Sequence, residues 1–543
     1  MIMKKYIGFS IIALSMGLAS CNDYLDKLPD DRAEIDTEKK VAQFLVSAYP
    51  GRSADYVMEL ASDNVQDNGA QFTAQDYQTY IYNWQPVLTT SWESTQWIWN
   101  YHYMAAAAAN QALASIGEQG NPASLNGCRA EALLCRAYAI FRMSNVFCMA
   151  YDPTKADKYV GLPYPKAPGV SVAERGTLQE LYENINADIE EALPLLNDAH
   201  LVSPKYHFNS KAAYAFAARF NLYFHKYDKA IQYATAAIGS NPLGVLRNYA
   251  QYLTLAGVED INNAYVAAAE PANFLMVTAN SLVGRAQYSS SWRRYATHYD
   301  IWLQELTRAP GMPWGSGSTN NTLYMSHNLY GGSNESVYMP YMVEFFAVTD
   351  KVANTGTPYI VDVVFNADET LLVRAEAYTL QKNYAKALED MNYWVTSHCA
   401  PTYGTGVRPT LTEEMINNTF DKIDYTPEVV TTTKERTPKK HLQPQGFTVE
   451  SGTQENFIQM VLHMRRLQTW QQGLRFQDLK RYGIAFSHNI SGGTPIVFKA
   501  GDSRGAFQIP QDAIEAGIAP NVYEDANTSA QDPDELQERA VRF

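Results

Sequence analysis

The side chains that could perform catalysis do not fall into recognised catalytic spacings in this chain of 543 residues. The ten His include no His-Glu-x-x-His pattern, and no nucleophile elbow, Walker loop or Gly-x-Gly-x-x-Gly turn occurs. Asp63, Asp67 and Asn68 partly match a calcium loop, but their spacing is wrong and no Glu ends the loop. We therefore expect no metal, no cofactor and no enzyme activity.

Charge and ring content favour a binding protein over other classes. The formal net charge is −14, which argues against nucleic acid as a partner. The chain contains 37 Tyr and 9 Trp, and rings of this kind supply large amphipathic contact surfaces. Hydrophobic residues make up 46% and charged residues 18%, as in ordinary globular proteins.

The N-terminus predicts export and lipidation. Residues 1–20 combine Lys4 and Lys5 with a short apolar run, which is typical of a cleaved signal peptide. The small residues before Cys21 form a lipobox-like sequence, so we expect Cys21 to be acylated, for example with palmitate, and to anchor the chain in a membrane. The other four cysteines, with no C-x-x-C pattern, are expected to be buried free thiols.

Helical periodicity with a repeat-like pattern predicts a mainly α scaffold. Apolar residues recur at helical spacing over about 37–49, 94–116, 128–147, 178–196, 210–225 and 227–238. Small residues recur at the offsets of a tetratricopeptide unit, and these are Ala218, Ala230, Ala234 and Ala237 before Pro242, and Ala375 and Ala387 around Tyr378. They predict tetratricopeptide-like helical hairpins over about 37–240 and 366–399, because small side chains let paired helices approach closely.

Two irregular, ring-bearing segments interrupt this scaffold. Residues 62–92 are rich in Asp, Asn, Gln and Tyr, and residues 244–357 are rich in Gly, Ser, Asn and Tyr. Long loops within a compact protein are usually functional or disordered, and these contain too many rings for disorder. The predicted fold is therefore a helical-hairpin scaffold with large irregular loop insertions.

Several segments together resemble the SusD/RagB family of nutrient-binding outer-membrane lipoproteins. They are Cys21–Asp26 followed by Pro29, the helix with Tyr101 and Asn110, Arg129–Tyr138 leading to Gly161-Leu162-Pro163, Gly473–Gly483, and Phe507–Pro510. Gly473–Gly483 is the most specific match, and the C-terminal family segment spans about 455–543. The chain departs from the family where Met464, Gln468 and Gln472 stand at usually acidic positions, so the ion pairs of nearby arginines are expected to be absent or rewired.

The resemblance implies a SusD-like domain over 21–543 that binds a nutrient at the cell surface without bond chemistry. It implies an oligosaccharide or polysaccharide ligand, delivery to a SusC-like TonB-dependent transporter, and attachment to outer-membrane lipid through acylated Cys21. Two alternatives stay open. The same fold could capture a peptide or glycopeptide, or the chain could be a helical glycoside hydrolase or an assembly scaffold, since 57 acidic residues allow an opposed carboxylate pair.

The resemblance also suggests where the ligand binds. In glycan-binding relatives an aromatic arc on inserted loops forms the site, and the matching regions are residues 64–92 and 289–341. The candidate platforms are Tyr82, Trp84, Trp292, Trp314 and Tyr330, and the candidate polar partners are Asp67, Asn68 and Arg293. By contrast, Trp97, Trp99, Tyr101 and Tyr103 lie within a predicted helix and are expected to be core, as are Trp394 and Trp470.

Overall fold

The structure of the chain is a computed structural model whose first described residue is Ile35. The predicted signal peptide and Cys21 lie outside the described residues. Those residues are 35, 37–87, 89–169, 174–288, 291–317, 320–327, 330–331 and 336–523. Within these ranges, the structure has no helix of the length and apolarity that a membrane span requires.

Helices supply most of the regular structure. The α-helices are α1 (Glu38–Phe44), α2 (Asp55–Leu60), α3 (Asp76–Tyr82), α4 (Thr95–Glu118), α5 (Asn126–Phe147), α6 (Leu178–Ala192), α7 (Ser210–Tyr223), α8 (Tyr227–Ile238), α9 (Val258–Tyr265), α10 (Val283–Tyr288), α11 (Tyr299–Glu305), α12 (Ala367–Leu380), α13 (Tyr384–His398), α14 (Glu413–Lys422), α15 (Thr453–Gln468), α16 (Arg475–Arg481) and α17 (Gln511–Glu515). Short 3-10 helices lie at Leu45–Ala48, Ala123–Leu125, Leu193–Leu195, Asp198–His200, Pro204–Tyr206, Pro242–Gly244, Tyr249–Thr254, Tyr324–His327, Thr433–Glu435 and Ser503–Gly505.

The helices pair as antiparallel hairpins, which confirms the predicted fold class. The hairpins are α4–α5, α7–α8 and α12–α13, and α12 also packs against α8 and α15. The small residues of the repeat-like pattern lie in these contacts, since Ala218, Ala230, Ala234, Ala375 and Ala387 are all fully buried. Their lack of bulk allows the close helix approach on which stacked hairpins depend.

Helix ends follow signals in the sequence. Thr177 begins α6 with a reciprocal capping box, in which its hydroxyl accepts from the Glu180 amide at 3.1 Å and Glu180 accepts from the Thr177 amide at 2.9 Å. Asn209 caps α7 in the same sense, because its side-chain oxygen accepts from the amides of Lys211 and Ala212. Such caps satisfy amides that have no partner within the helix, so they fix where each helix starts.

Short strands lie mainly in the second insertion. They are β1 (Gln66–Asp67), β2 (Asn273–Ala279), β3 (Tyr295–Ala296), β4 (Tyr330–Gly331), β5 (Val337–Tyr338), β6 (Phe345–Asp350), β7 (Thr355–Asn366), β8 (Phe486–His488) and β9 (Ile496–Phe498). The main sheet is antiparallel in the order β2-β7-β6, with Asn273 opposite Asn366 and Ala279 opposite Ile360. The sheet packs on α7 and α12, so the segment described from sequence as irregular contains an ordered layer.

Buried ion pairs join the two ends of the chain. Asp63, after α2, accepts from Arg475 at 2.8 and 2.9 Å. Arg466 on α15 donates to the Asp63 carbonyl at 2.9 Å and to Glu305 at 2.8 Å. Burial opposes ionisation of Asp63, but the charges of Arg466 and Arg475 outweigh it and hold the pKa of Asp63 far below its usual range.

Buried ion pairs also show which partners the arginines have where the chain departs from the family pattern. Arg465 pairs with Asp478 at 3.0 Å, with Glu376 at 3.2 Å and with Glu369 at 3.3 Å. The arginines near Met464 and Gln468 therefore find carboxylates on other elements, as the prediction of rewired pairs allowed. The partial calcium motif is explained in the same way, because Arg475 occupies the carboxylate of Asp63.

The cysteines within the described ranges are buried free thiols, as predicted. They are Cys128, Cys135, Cys148 and Cys399. Burial raises the pKa of Cys148 to about 11 and that of Cys399 to about 12. Thiols with pKa values in this range carry almost no thiolate near neutral pH, so these residues act as small core side chains.

Candidate functional site

The two insertions meet along a short antiparallel seam. Strand β1 pairs with β3, with Gln66 opposite Ala296 and Asp67 opposite Tyr295. Two more backbone hydrogen bonds extend the contact, from the Asn68 amide to the Arg294 carbonyl at 2.8 Å and from the Thr73 amide to the Ser291 carbonyl at 2.7 Å. Segments separated by more than 200 residues along the chain therefore form one surface.

Asp67 and Asn68 hold this seam together. The buried Asp67 carboxylate accepts from Arg294 at 3.1 and 3.2 Å and from the Gly69 amide at 3.0 Å. The Asn68 amide group donates to the Arg293 carbonyl at 3.0 Å. Asp67 is thus occupied by protein donors, which makes it a positioning residue instead of the direct ligand contact that we predicted.

The buried positions of Tyr82, Trp84 and Trp314 correct the prediction that their rings are binding platforms. Their exposed fractions are 0%, 3% and 0%. Tyr82 and Trp84 stack on His488 with ring centroids at 4.0 and 4.2 Å, and Trp314 stacks on His463 at 5.5 Å. The histidines come from α15 and β8 and cover the rings, so these three aromatics belong to the core.

Three predicted residues remain accessible beside the seam. Trp292, Arg293 and Tyr330 are half-buried. The Arg293 guanidinium lies 5.5 Å from the ring centroid of Phe72, and Tyr330 stacks on Tyr338 at 6.1 Å. We call Trp292, Arg293, Tyr330 and Tyr338 the seam surface, and it offers rings and a guanidinium on the joined loops.

Sequence reasoning missed part of the accessible aromatic surface. Tyr338 carries no signal except its place opposite Tyr330 in the β4–β5 pair. Trp97 and Tyr101 were expected to be core but are half-buried, whereas Trp99 is 7% exposed and agrees with the expectation. Trp394 and Trp470 are buried, as expected.

Among the described residues, the structure has no group of three or more His, Cys, Asp or Glu side chains that could hold a metal ion. Asp55 and Asp362 form a close carboxylate pair, but both are buried in the core, and Asp55 is ion-paired with Arg142. Burial and then the charge of Asp55 raise the pKa of Asp362 well above its usual range. Both carboxylates are shielded from solvent, so the geometry of the pair is that of a core network.

The family model that matches the chain is SusD-like, described as "Starch-binding associating with outer membrane", and it covers residues 23–222. A SusD-like protein of Formosa agariphila is 28% identical over 275 residues, which is 48% of this chain and 51% of the relative. Over residues 23–222 the chain is similar to the SusD-like family. The matched region spans about half the length of this curated SusD-like relative.

Solved structures of SusD superfamily proteins are similar in fold over about 90% of this chain. A SusD superfamily protein of Bacteroides thetaiotaomicron has a TM-score of 0.59 at 19% identity and covers 90% of this chain and 100% of its own. A putative sugar binding protein of Bacteroides vulgatus has a TM-score of 0.60 at 16% identity, covering 90% and 99%. At these identities the likeness concerns the fold, and it extends well beyond residues 23–222.

Proposed function

We propose that this SusD-like protein binds an oligosaccharide or polysaccharide at the cell surface, without cleaving it, and delivers it to a SusC-like TonB-dependent outer-membrane transporter. The description of its family model as starch-binding and associated with the outer membrane supports the ligand class and the compartment. The structural neighbour from Bacteroides vulgatus, described as a sugar binding protein, supports the same ligand class.

The observation that carries the proposal is the seam surface. Flat rings cover the C–H faces of sugars, while guanidinium and amide groups satisfy the hydroxyls. Trp292 and Tyr330 supply accessible rings, and the half-buried Arg293 supplies hydrogen-bond donors. Because backbone pairing between β1 and β3 fixes the loops, the surface is organised before a ligand arrives, which lowers the entropy cost of binding.

Acylation of Cys21 would place this surface near a membrane-embedded partner. Residues 22–34 separate Cys21 from Ile35, whose carbonyl accepts from Ser115 on α4 at 2.7 Å. A segment of that length reaches at most about 50 Å when fully extended. The anchor would therefore keep the local concentration of the protein high around its transporter.

Replacing rings of the seam surface is expected to weaken glycan binding. Trp292→Ala and Tyr330→Ala should each lower affinity about fivefold or more, since a stacked ring contributes about 1 kcal/mol beyond its buried area. Isothermal titration of the full mature chain carrying Cys21→Ala against a polysaccharide panel measures this loss. The same samples, checked for new reducing ends, test the absence of hydrolysis.

Tyr403→Ala is the matched control, because Tyr403 is 95% exposed and lies on a loop outside the seam. Its affinity should equal that of the unmodified chain. If Trp292→Ala and Tyr330→Ala bind glycan as tightly as the unmodified chain does, the seam surface is rejected as the site. Release of reducing ends would reject the non-catalytic function, and binding to peptides instead of glycans would favour the peptide-capture alternative.

A further inference from the structure

An arginine lies among three aromatic rings at the start of α4. The Arg52 guanidinium is 4.4 Å from the ring centroid of Trp92, 5.0 Å from that of Trp97 and 5.3 Å from that of Tyr101. Trp92 is 39% exposed, and the other two rings are half-buried. We call these four residues the Arg52 cage, and its rings are accessible to a ligand from solvent.

The charge of Arg52 has few partners within the protein. Arg52 is 5% exposed, and its buried Nε has no hydrogen-bond partner. Its Nη1 donates to the Asn280 carbonyl at 3.5 Å, which is long for a hydrogen bond. Within the part of the chain that the structure describes, no carboxylate forms an ion pair with this guanidinium. Ring contacts stabilise the cation in part, but a desolvated guanidinium without an anion is costly.

Glu93, whose charge interacts with that of Arg52, and the neighbouring Asp55 are both held by other groups. Asp55 is ion-paired with Arg142. Glu93, which is 4% exposed, accepts from the backbone amide of Leu282. Burial raises the pKa of Glu93 to about 7, so a large fraction of this carboxyl group is neutral near neutral pH. Neither residue neutralises Arg52 fully, and the cage keeps an excess of positive charge.

We propose that the Arg52 cage is a subsite for an acidic sugar unit, whose carboxylate or sulfate group pairs with Arg52 while the sugar ring stacks on Trp92. A planar guanidinium matches such anions with two parallel hydrogen bonds. A neutral sugar would cover the rings and leave the charge unpaired. The inference rests on the proposed glycan-binding function and adds a chemical class to its ligand.

The cage and the seam surface are close enough for one extended ligand. Leu282, which contacts Glu93, is separated from Trp292 by the six residues of α10 and three others. The ten residue-to-residue steps between them, six helical and four fully extended, reach at most about 25 Å. An oligosaccharide could therefore place an acidic unit in the cage and other units on the seam surface.

Fluorine NMR of the full mature chain carrying Cys21→Ala and labelled with 5-fluorotryptophan tests the subsite directly. The probes are methyl glucuronide as a carboxylate, glucose 6-sulfate as a sulfate ester and methyl glucoside as a neutral sugar, all at equal ionic strength. The Trp92 and Trp97 signals, assigned with Trp→Phe variants, should shift saturably with at least one anionic probe. Affinity for methyl glucoside should be at least about tenfold lower.

Arg52→Gln should abolish the shift with the anionic probe. Arg285→Gln is the matched control, since Arg285 is a surface guanidinium paired with Glu344 at 2.7 Å, and it should leave the shift unchanged. Equal response to the neutral probe, no response to either anionic probe, or a shift that persists in Arg52→Gln would overturn the proposal. The choice between carboxylate and sulfate follows from which anionic probe binds more tightly.

A second variant guards against misfolding of Arg52→Gln, which thermal unfolding would reveal. Trp92→Ala changes an exposed ring, so this variant should fold. Its affinity for the anionic probe, measured from the Trp97 signal, should be lower by about fivefold or more. Unchanged affinity in that variant would overturn the proposal. Because these monosaccharide probes are independent of the polysaccharide panel, failure of the cage and failure of the proposed function are distinguishable.

Discussion

Replacing Glu305 by Gln is expected to lower the free energy of unfolding by about 3–5 kcal/mol, because it removes the anion from a buried cluster of cations. The Glu305 carboxylate accepts from Lys440 at 2.6 Å, from Arg466 at 2.8 Å and from Arg436 at 2.9 Å. A neutral amide keeps the volume but removes the carboxylate that pairs with Lys440 and Arg436, and it leaves Arg466 with the Asp63 carboxylate at 3.5 Å. Chemical denaturation monitored by circular dichroism measures the loss.

Glu389→Gln is the control for this prediction. Glu389 pairs with Lys386 at 2.8 Å on the exposed face of α13, and exposed pairs of this kind contribute little. The same substitution should therefore leave the denaturation midpoint within experimental error. Similar midpoints for both variants would show that the buried cluster does not depend on Glu305.

The pH dependence of stability should carry the signature of Glu305. Burial raises its pKa, but Lys440, Arg466 and Arg436 outweigh burial and lower the value to about 2. The folded pKa is thus below the unfolded value of about 4.3, so the stabilisation is complete above pH 4.3 and is lost as pH falls toward 2. Denaturation curves between pH 6 and pH 3 should show a smaller decline for Glu305→Gln than for the unmodified chain.

Replacing Gly483 by Ala is expected to destabilise the fold by about 2–4 kcal/mol for two separate reasons. Gly483 has φ of +55°, a conformation that costs an L-residue about 1–2 kcal/mol. A Cβ at this position would also lie 2.0 Å from the Gln443 carbonyl oxygen, so the backbone would have to move. Thermal and denaturant unfolding of the full chain measures the combined effect.

Gly492→Ala separates the cost of the positive φ from the cost of the steric clash. Gly492 has φ of +73°, and a Cβ there would meet no atom within 4 Å. Its variant should show the conformational cost alone, about 1–2 kcal/mol. If Gly483→Ala loses no more unfolding free energy than Gly492→Ala, then the segment around Gln443 can shift to accept the Cβ without a loss of stability. The tight contact at the end of α16 would then not be a source of stability.

The helical part of the fold could be predicted closely because its signals are local. The pattern of Tyr227–Ile238 is apolar at helical spacing and begins and ends as α8 does. The sheet could not be predicted in this way. Strand β2 is a short apolar run buried on nearly every position, so it shows no alternation that would distinguish it from a buried helix segment.

The sequence predicts which loop regions form the candidate site, but it does not predict which individual rings are accessible. The pairing of β1 with β3 brings the two predicted insertions together, but the burial of individual rings depends on distant residues. Tyr82 and Trp84 are covered by His488, which is more than 400 residues away in sequence, and no local pattern announces that contact. Arg52 was missed for the same reason, because its cage exists only once the start of α4 folds over it.

The buried pairs between the chain ends also set an order for assembly. Asp63 and Arg475 are 412 residues apart, so at about 5–20 residues per second ribosomes make Arg475 roughly 20–80 s after Asp63. Until then the carboxylate has no guanidinium to meet, and a fragment ending at residue 222 would never supply one. Maturation of this scaffold is therefore expected to be a late, all-or-none event that follows synthesis of nearly the entire polypeptide.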